Sequence, residues 1–228
     1  MILQIETATT SCSVALTQQG ALLAKKELNQ RNVHAEVLTL FIEDIFKQTG
    51  KQYTDLDAVA VSSGPGSYTG LRIGVSTAKG LCYALDKPLI AVETLKAMAD
   101  GMIGRQGNEL KPDSLLCPMI DARRMEVFTA MFDLTGNKVM PTAAEIIDGN
   151  SFADLLIEHK IYFFGDGAAK CRETLTHPNA IFIADYENSA SDLTVAALKK
   201  FNDKDFEDVA YFEPYYLKEF IAGAKKKV

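Results

Sequence analysis

Residues 62–74 read SSGPGSYTGLRIG. An apolar run precedes this stretch and a helical pattern follows it, the setting in which many α/β proteins hold a phosphate. The two common phosphate fingerprints are not met. A P-loop needs a Lys after the glycines to reach the β- and γ-phosphates, then Ser or Thr for magnesium. Gly64, Gly66 and Gly70 come close to the dinucleotide spacing G-x-G-x-x-G but are one residue out of register. What remains is a tight turn and a helix start, with Ser67 or Thr69 as the cap. Two readings stay open: an anion site on free N–H groups, or a turn that redirects the chain.

The helix beyond the loop repeats small residues every four positions: Gly70, Gly74, Ala78 and Cys82. A glycine inside a helix costs roughly 1 kcal/mol relative to alanine. A ridge of small residues offsets that cost if another element approaches closely. Leu71, Val75 and Leu85 already supply an apolar face for the protein's own sheet, so the ridge is expected to meet a partner. The preceding helical stretch, from about His34 to Gln48, agrees. Val37, Leu38, Leu40, Phe41, Ile42, Ile45 and Phe46 cover most of its circumference, interrupted by Asp44. One sheet needs a stripe only about 100° wide. Helices 34–48 and 69–85 are therefore expected to form a partner interface including Leu40, Phe41, Gly70, Gly74, Ala78 and Cys82. Burial within one subunit is the alternative.

Working outward, Ile2–Ile5, Ser13–Thr17 and Ala21–Leu28 read as an antiparallel meander. Leu56–Ser62 and Leu89–Val92 read as strands, and Thr94 starts a helix to about Ile103. The polar stretch GRQGNELKPD at 104–113 suggests a boundary between domains 1–104 and 105–228. The pattern then restarts with Leu115–Ile120, Glu126–Phe132, Lys138–Ile147, a helix Phe152–Glu158, the strand Ile161–Phe164, and helices near 168–175 and 189–200. Three strands followed by alternating helices and strands, twice over, imply an α/β protein of two related halves.

The 228 residues carry a net charge of −6, which disfavours direct tight binding to nucleic acid by this chain alone. Four cysteines lie far apart without a CxxC pair, the pattern of reduced thiols rather than a zinc site or disulfide framework. No apolar run reaches the roughly 18 residues of a membrane span. MILQIETATT lacks the basic start of a signal peptide. The expected location is the cytoplasm, away from membranes.

Four segments then carry a resemblance. ILQIETATTSCSVAL (2–16), SSGPGSYTGLRIGVSTAKGL (62–81), IDARRMEVF (120–128) and FFGDGA (163–168) resemble the TsaB (YeaZ) family, in the family's order. The resemblance implies the two-domain fold of the actin, sugar-kinase and Hsp70 ATPase superfamily (ASKHA). It implies a role in making N6-threonylcarbamoyladenosine at position 37 of tRNA, as a non-catalytic partner of TsaD. TsaE, an ATPase, acts with the pair, and ATP and magnesium serve the wider complex. Pairing of the chain with itself through the same surface is also implied.

In active members of that superfamily, a turn near the N-terminus donates backbone N–H groups to phosphate and an Asp organises magnesium. Here Glu6 stands where Asp is more usual, and Ala8 where Gly would help. The second phosphate turn reads Asp121-Ala122-Arg123-Arg124-Met125, without glycine. Gly165-Asp166-Gly167-Ala168 resembles the turn that contacts adenosine, or is a plain strand-to-helix turn. Glu6, Thr9, Asp121, Gly165 and Gly167 are thus a vestigial nucleotide site, and no cofactor is assigned to this chain. The family's TsaD enzymes place two His at i and i+4; here His34 is followed by Leu38, so no metal site is expected. The rival function is an active small-molecule kinase or ATPase of the same fold. Arg123, Arg124 and Lys225–Lys227 are the basic clusters through which tRNA contact would run.

Overall fold

The computed structural model describes residues 1–107 and 109–218. Among them, ten strands form two five-stranded sheets. The first contains β1 (Ile2–Glu6), β2 (Ser11–Gln18), β3 (Ala21–Asn29), β4 (Ala58–Gly64) and β5 (Leu89–Glu93), in the order β3-β2-β1-β4-β5. The second contains β6 (Leu115–Asp121), β7 (Glu126–Phe132), β8 (Lys138–Ile146), β9 (Ile161–Phe164) and β10 (Ala180–Phe182), in the order β10-β9-β6-β7-β8. Each sheet is a three-stranded antiparallel meander whose first strand also pairs in parallel with the fourth, which in turn pairs in parallel with the fifth. Replacing β1–β5 by β6–β10 converts one order into the other, so the halves are related in topology as the repeated pattern implies.

The central strands are apolar on both faces because both faces are covered. In the first half, Leu3, Ile5, Val59 and Val61 pack under α1 (His34–Thr49) and α2 (Tyr68–Leu85). Ile2, Ala58, Ala60, Ile90 and Val92 face the other way. They meet Ala97 of α3 (Thr94–Gln106), Leu193, and Ala197 of α5 (Thr194–Asp203). Helix α3 also packs on the second sheet, where Leu95, Met98 and Met102 join Leu116, Phe128 and Phe164. The second sheet's outer face packs on Leu156 of α4 (Ala153–Glu158).

Position 104, where the boundary was expected, falls in the last turn of α3, a helix that packs on both sheets. Residues 190–203, expected in the second domain, lie against β1, β2 and β5 of the first. The reason is the apolar face of the first sheet, which Leu193 and Ala197 cover together with α3, flanked by Ala196 and Phe201. The helix expected near 168–175 is a single 3-10 turn, Ala169–Cys171. Strand β10, three residues long, shows no alternation by which to read it. The Lys225–Lys227 cluster lies outside the described residues.

Candidate functional site

The glycine loop after β4 is filled by the protein itself. Ser67 caps α2, its Oγ accepting from Gly70 N–H at 3.2 Å. The Ser67 N–H donates to Ala8 O at 2.7 Å. A Cβ on Gly66 would fall on the Ala8 carbonyl, one on Gly70 on the Thr7 carbonyl, and one on Gly74 on Thr7 Oγ1. The three glycines thus form a cradle, and its occupant is the Thr7-Ala8 segment of the turn after β1, backbone at Gly66 and Gly70 and the Thr7 side chain at Gly74.

This corrects the interface expected for the small-residue ridge. Gly70, Gly74, Ala78 and Cys82 are all buried inside the subunit. Gly70 and Gly74 close on Thr7, while Ala78 and Cys82 join the core beneath the helices. Phe41 is half-buried against that same core. Leu40 is different, with 55% of its surface exposed.

At the end of β1, Glu6 is buried and its Oε1 accepts from Ala8 N–H at 2.5 Å and from Ser62 Oγ–H at 3.1 Å. Burial pushes its carboxyl up to about 7; the Ala8, Ser62 and Thr7 hydrogen bonds oppose this, and Asp192 adds to it. Thr9 is also buried, its Oγ1 accepting from Ser11 N–H at 3.3 Å. The carboxylate that would organise a metal and the N–H group that would meet a phosphate therefore satisfy each other.

The second half repeats the device. Gly165 leaves β9 with φ +101, as Gly64 leaves β4 with φ +113, in a region that favours glycine. A Cβ on Gly165 would meet Met119 O, and one on Gly167 would lie 2.9 Å from Ile120 C. Gly167 N–H donates to Met119 O at 3.0 Å. SGPGS and FGDGA are thus counterparts, each wrapped around the end of its sheet's first strand. Sequence reasoning read them as separate motifs, although the shared G-x-G after an apolar run was visible.

An open cleft of about 300 Å³ lies between the halves, lined by Thr10, Asn29, Gln30, Arg31, Asp121 and Asp166. Asp121 Oδ1 accepts from Arg123 N–H at 2.9 Å and pairs with Lys170. Asp166 Oδ1 accepts from Asp121 N–H at 2.9 Å. Arg123 and Arg124 are exposed with φ of 72° and 52°, consecutive left-handed positions that strain non-glycine residues. Of the vestigial set, Asp121 lines this cleft while Glu6 is buried in the first half and Gly165 and Gly167 pack on β6. These residues do not fit a nucleotide-metal group. Ala8 N–H and the Glu6 carboxylate are spent on each other, and two guanidinium side chains replace glycine in the second turn.

A polar cluster missed in the sequence, centred on the buried Asp192, joins the halves near Glu6. Arg105 of α3 pairs with Asp192, whose Oδ2 lies 2.9 Å from Tyr186 Oη and accepts from Ser189 N–H at 3.2 Å. A Cβ on Gly101 would strike the Asp192 carboxyl. Burial, opposed by Arg105, pushes the Asp192 carboxyl up. His34 Nε2 lies 3.2 Å from Ser11 O, His159 Nδ1 lies 2.9 Å from Asp113 O, and His177 Nδ1 accepts from Asn179 N–H at 3.2 Å.

The family model for TsaD, tRNA N6-adenosine threonylcarbamoyltransferase, matches residues 21–225. The chain is 38% identical over 138 residues to the tRNA threonylcarbamoyladenosine biosynthesis protein TsaB of Escherichia coli K12, covering 60% of this chain and 57% of that one. It therefore spans a little over half the length of the curated relatives it matches. The solved structure of YeaZ from Pseudomonas aeruginosa superposes with a TM-score of 0.81 at 26% identity, over 95% of this chain and 99% of that one. An activator of the 2-hydroxyisocaproyl-CoA dehydratase from Clostridium difficile, with bound ADPNP, shares the fold at a TM-score of 0.51 and 11% identity, over 90% of this chain and 95% of that one.

Proposed function

The chain belongs to the TsaB (YeaZ) family, within the wider family of the threonylcarbamoyltransferase model and with the ASKHA fold, and from that premise we propose that it is a non-catalytic partner subunit. It binds TsaD and, with TsaE, supports formation of N6-threonylcarbamoyladenosine at position 37 of tRNA. One observation carries the reading: the glycine cradle holds the chain's own Thr7-Ala8 turn. A turn clamped in that way organises the base of α2 and leaves phosphate chemistry to the partner.

The docking surface is the outer face of α1 and α2. Leu40 is exposed there, and Tyr83 on α2 is 87% exposed. Gly80, in the interior of α2, is exposed, and no other part of the chain comes within 4 Å of where its Cβ would be. Its cost to the helix, roughly 1 kcal/mol, has no compensation inside the subunit. Close approach of a partner helix supplies one. Because TsaD is a paralogue, the same face allows the chain to pair with itself.

The deciding experiment measures tRNA modification by TsaD, TsaE, ATP and threonylcarbamoyl-adenylate, with and without this chain. The expected result is turnover that requires the chain, while the chain alone hydrolyses no ATP. Magnesium-dependent ATP turnover by the chain alone would favour the kinase reading. Unchanged modification without it would remove the partner role.

A further inference from the structure

The stretch 205–218 has no regular secondary structure, yet its contacts run from one half to the other. Glu207 N–H donates to Leu89 O at 2.9 Å, at the edge of the first sheet. Val209 and Phe212 pack into the core beneath α1 and α2. Lys79 of α2 then donates to the carbonyls of Ala210 at 3.2 Å and Phe212 at 2.9 Å. Tyr215 N–H donates to Ser63 O at 2.7 Å, and its carbonyl occupies the space beside Gly64. The Tyr216 ring stands 4.7 Å from that of Tyr68, the first residue of α2.

Beyond that point the chain crosses to the second half. Leu217 packs against the core cluster of the second sheet that includes Ile120 and Phe128, and Lys218 pairs with Glu126 at 2.5 Å. Those residues flank the Asp121–Met125 turn that borders the cleft. Helix α2 itself packs on α1, β1, β4 and β5, all in the first half. The stretch thus runs directly from α2 and the glycine loop to the β6–β7 hairpin.

We propose that residues 205–218 form a strap coupling the outer helix α2 to the β6–β7 hairpin, so that a partner seated on α2 alters the cleft. The proposal rests on the reading of α2 as the partner-facing helix. Lys79 is the pin, because its ammonium makes charge-assisted bonds to two strap carbonyls that no β-ladder satisfies. Leu217 and Lys218 anchor the far end. Loosening either end should be felt at the other, since coupling between sites is reciprocal.

The test is hydrogen–deuterium exchange on the full chain. Lys79→Met is expected to speed exchange across 205–216 by about tenfold. Peptides covering 120–128 should also exchange faster, while those in β3 and α4 stay unchanged. Lys218→Ala, at the exposed far end, should speed exchange across 63–72. A strap that loosens in Lys79→Met without change at 120–128, together with an unaffected 63–72 in Lys218→Ala, overturns the coupling. Adding TsaD to the wild-type chain separates the two ideas. Slower exchange on α2 with no change at 120–128 rejects the strap and keeps the partner reading. No protection on α2 rejects the partner reading, and the two variants still decide the strap.

Discussion

Glu6 ends β1 with its carboxyl buried between Ala8 N–H and the Ser62 hydroxyl. The unfolded chain gives up this proton near 4.5, whereas the fold keeps it to about 7. Between those values the folded state binds more protons, so stability falls as pH rises through that window, by about 3 kcal/mol for this group. Glu6→Gln should flatten the fall. Denaturant midpoints at pH 5 and pH 8 measure it: the wild type loses stability across the interval and the variant loses much less. Equal losses in both would transfer the slope to Asp100 and Asp192, which burial also pushes up. Gly74 gives a second test at this scale. Its missing Cβ leaves the space that Thr7 Oγ1 fills, and Thr7 has no exposed surface into which to retreat. Gly74→Ala is expected to destabilise the monomer by about 1–3 kcal/mol in a denaturant melt.

Along α2, two glycines with the same propensity cost have opposite explanations. Gly74 faces Thr7 inside the subunit, whereas Gly80 faces open space. Gly80→Ala should therefore stabilise the isolated chain, by up to about 1 kcal/mol, because the helix loses its flexible point. The same change should weaken assembly with TsaD about tenfold, equivalent to about 1.4 kcal/mol, if a partner helix crosses there. Opposite signs in a thermal melt and a binding titration are the expected pair. A stabilised variant with unchanged binding would place the crossing elsewhere. Leu40→Asp should leave the melt within about 0.5 kcal/mol of wild type and lower the affinity, since the side chain already meets solvent. The strands and helices of the first half were legible in the sequence because burial on both faces writes long apolar runs, and Asp86-Lys87-Pro88 marks where α2 stops. Which ridge of α2 faces inward was not legible. Spacing identifies Gly70, Gly74, Ala78 and Cys82 as a ridge, but only the Thr7 contact shows what fills it.

The same limit holds for the molecule as a whole. Duplication could be read from a pattern that restarts after 113, and the two strand orders match it. The cluster of Arg105, Tyr186 and Asp192 could not be read, because Arg105 is far in sequence from the other two and each is an ordinary polar residue until the fold buries Asp192 between them. Nor could the return of the chain to its first sheet. That return makes the halves unequal in autonomy. The face formed by Ile2, Ala58, Ala60, Ile90 and Val92 needs Leu193 and Ala197 as well as α3. A fragment of residues 1–107 would expose that face and lose the bonds from Ser11 Oγ–H to Asn188 O at 2.6 Å and from Ala190 N–H to Ser13 Oγ at 2.9 Å. It is expected to bind a hydrophobic dye and to melt without a sharp transition, whereas the full chain unfolds cooperatively. Supplying residues 186–218 as a second fragment should restore a cooperative melt, because the missing cover then returns from outside. A fragment 1–107 that melts sharply alone would show that α3 and the meander suffice, and that the returning segment serves the junction between halves rather than the first core.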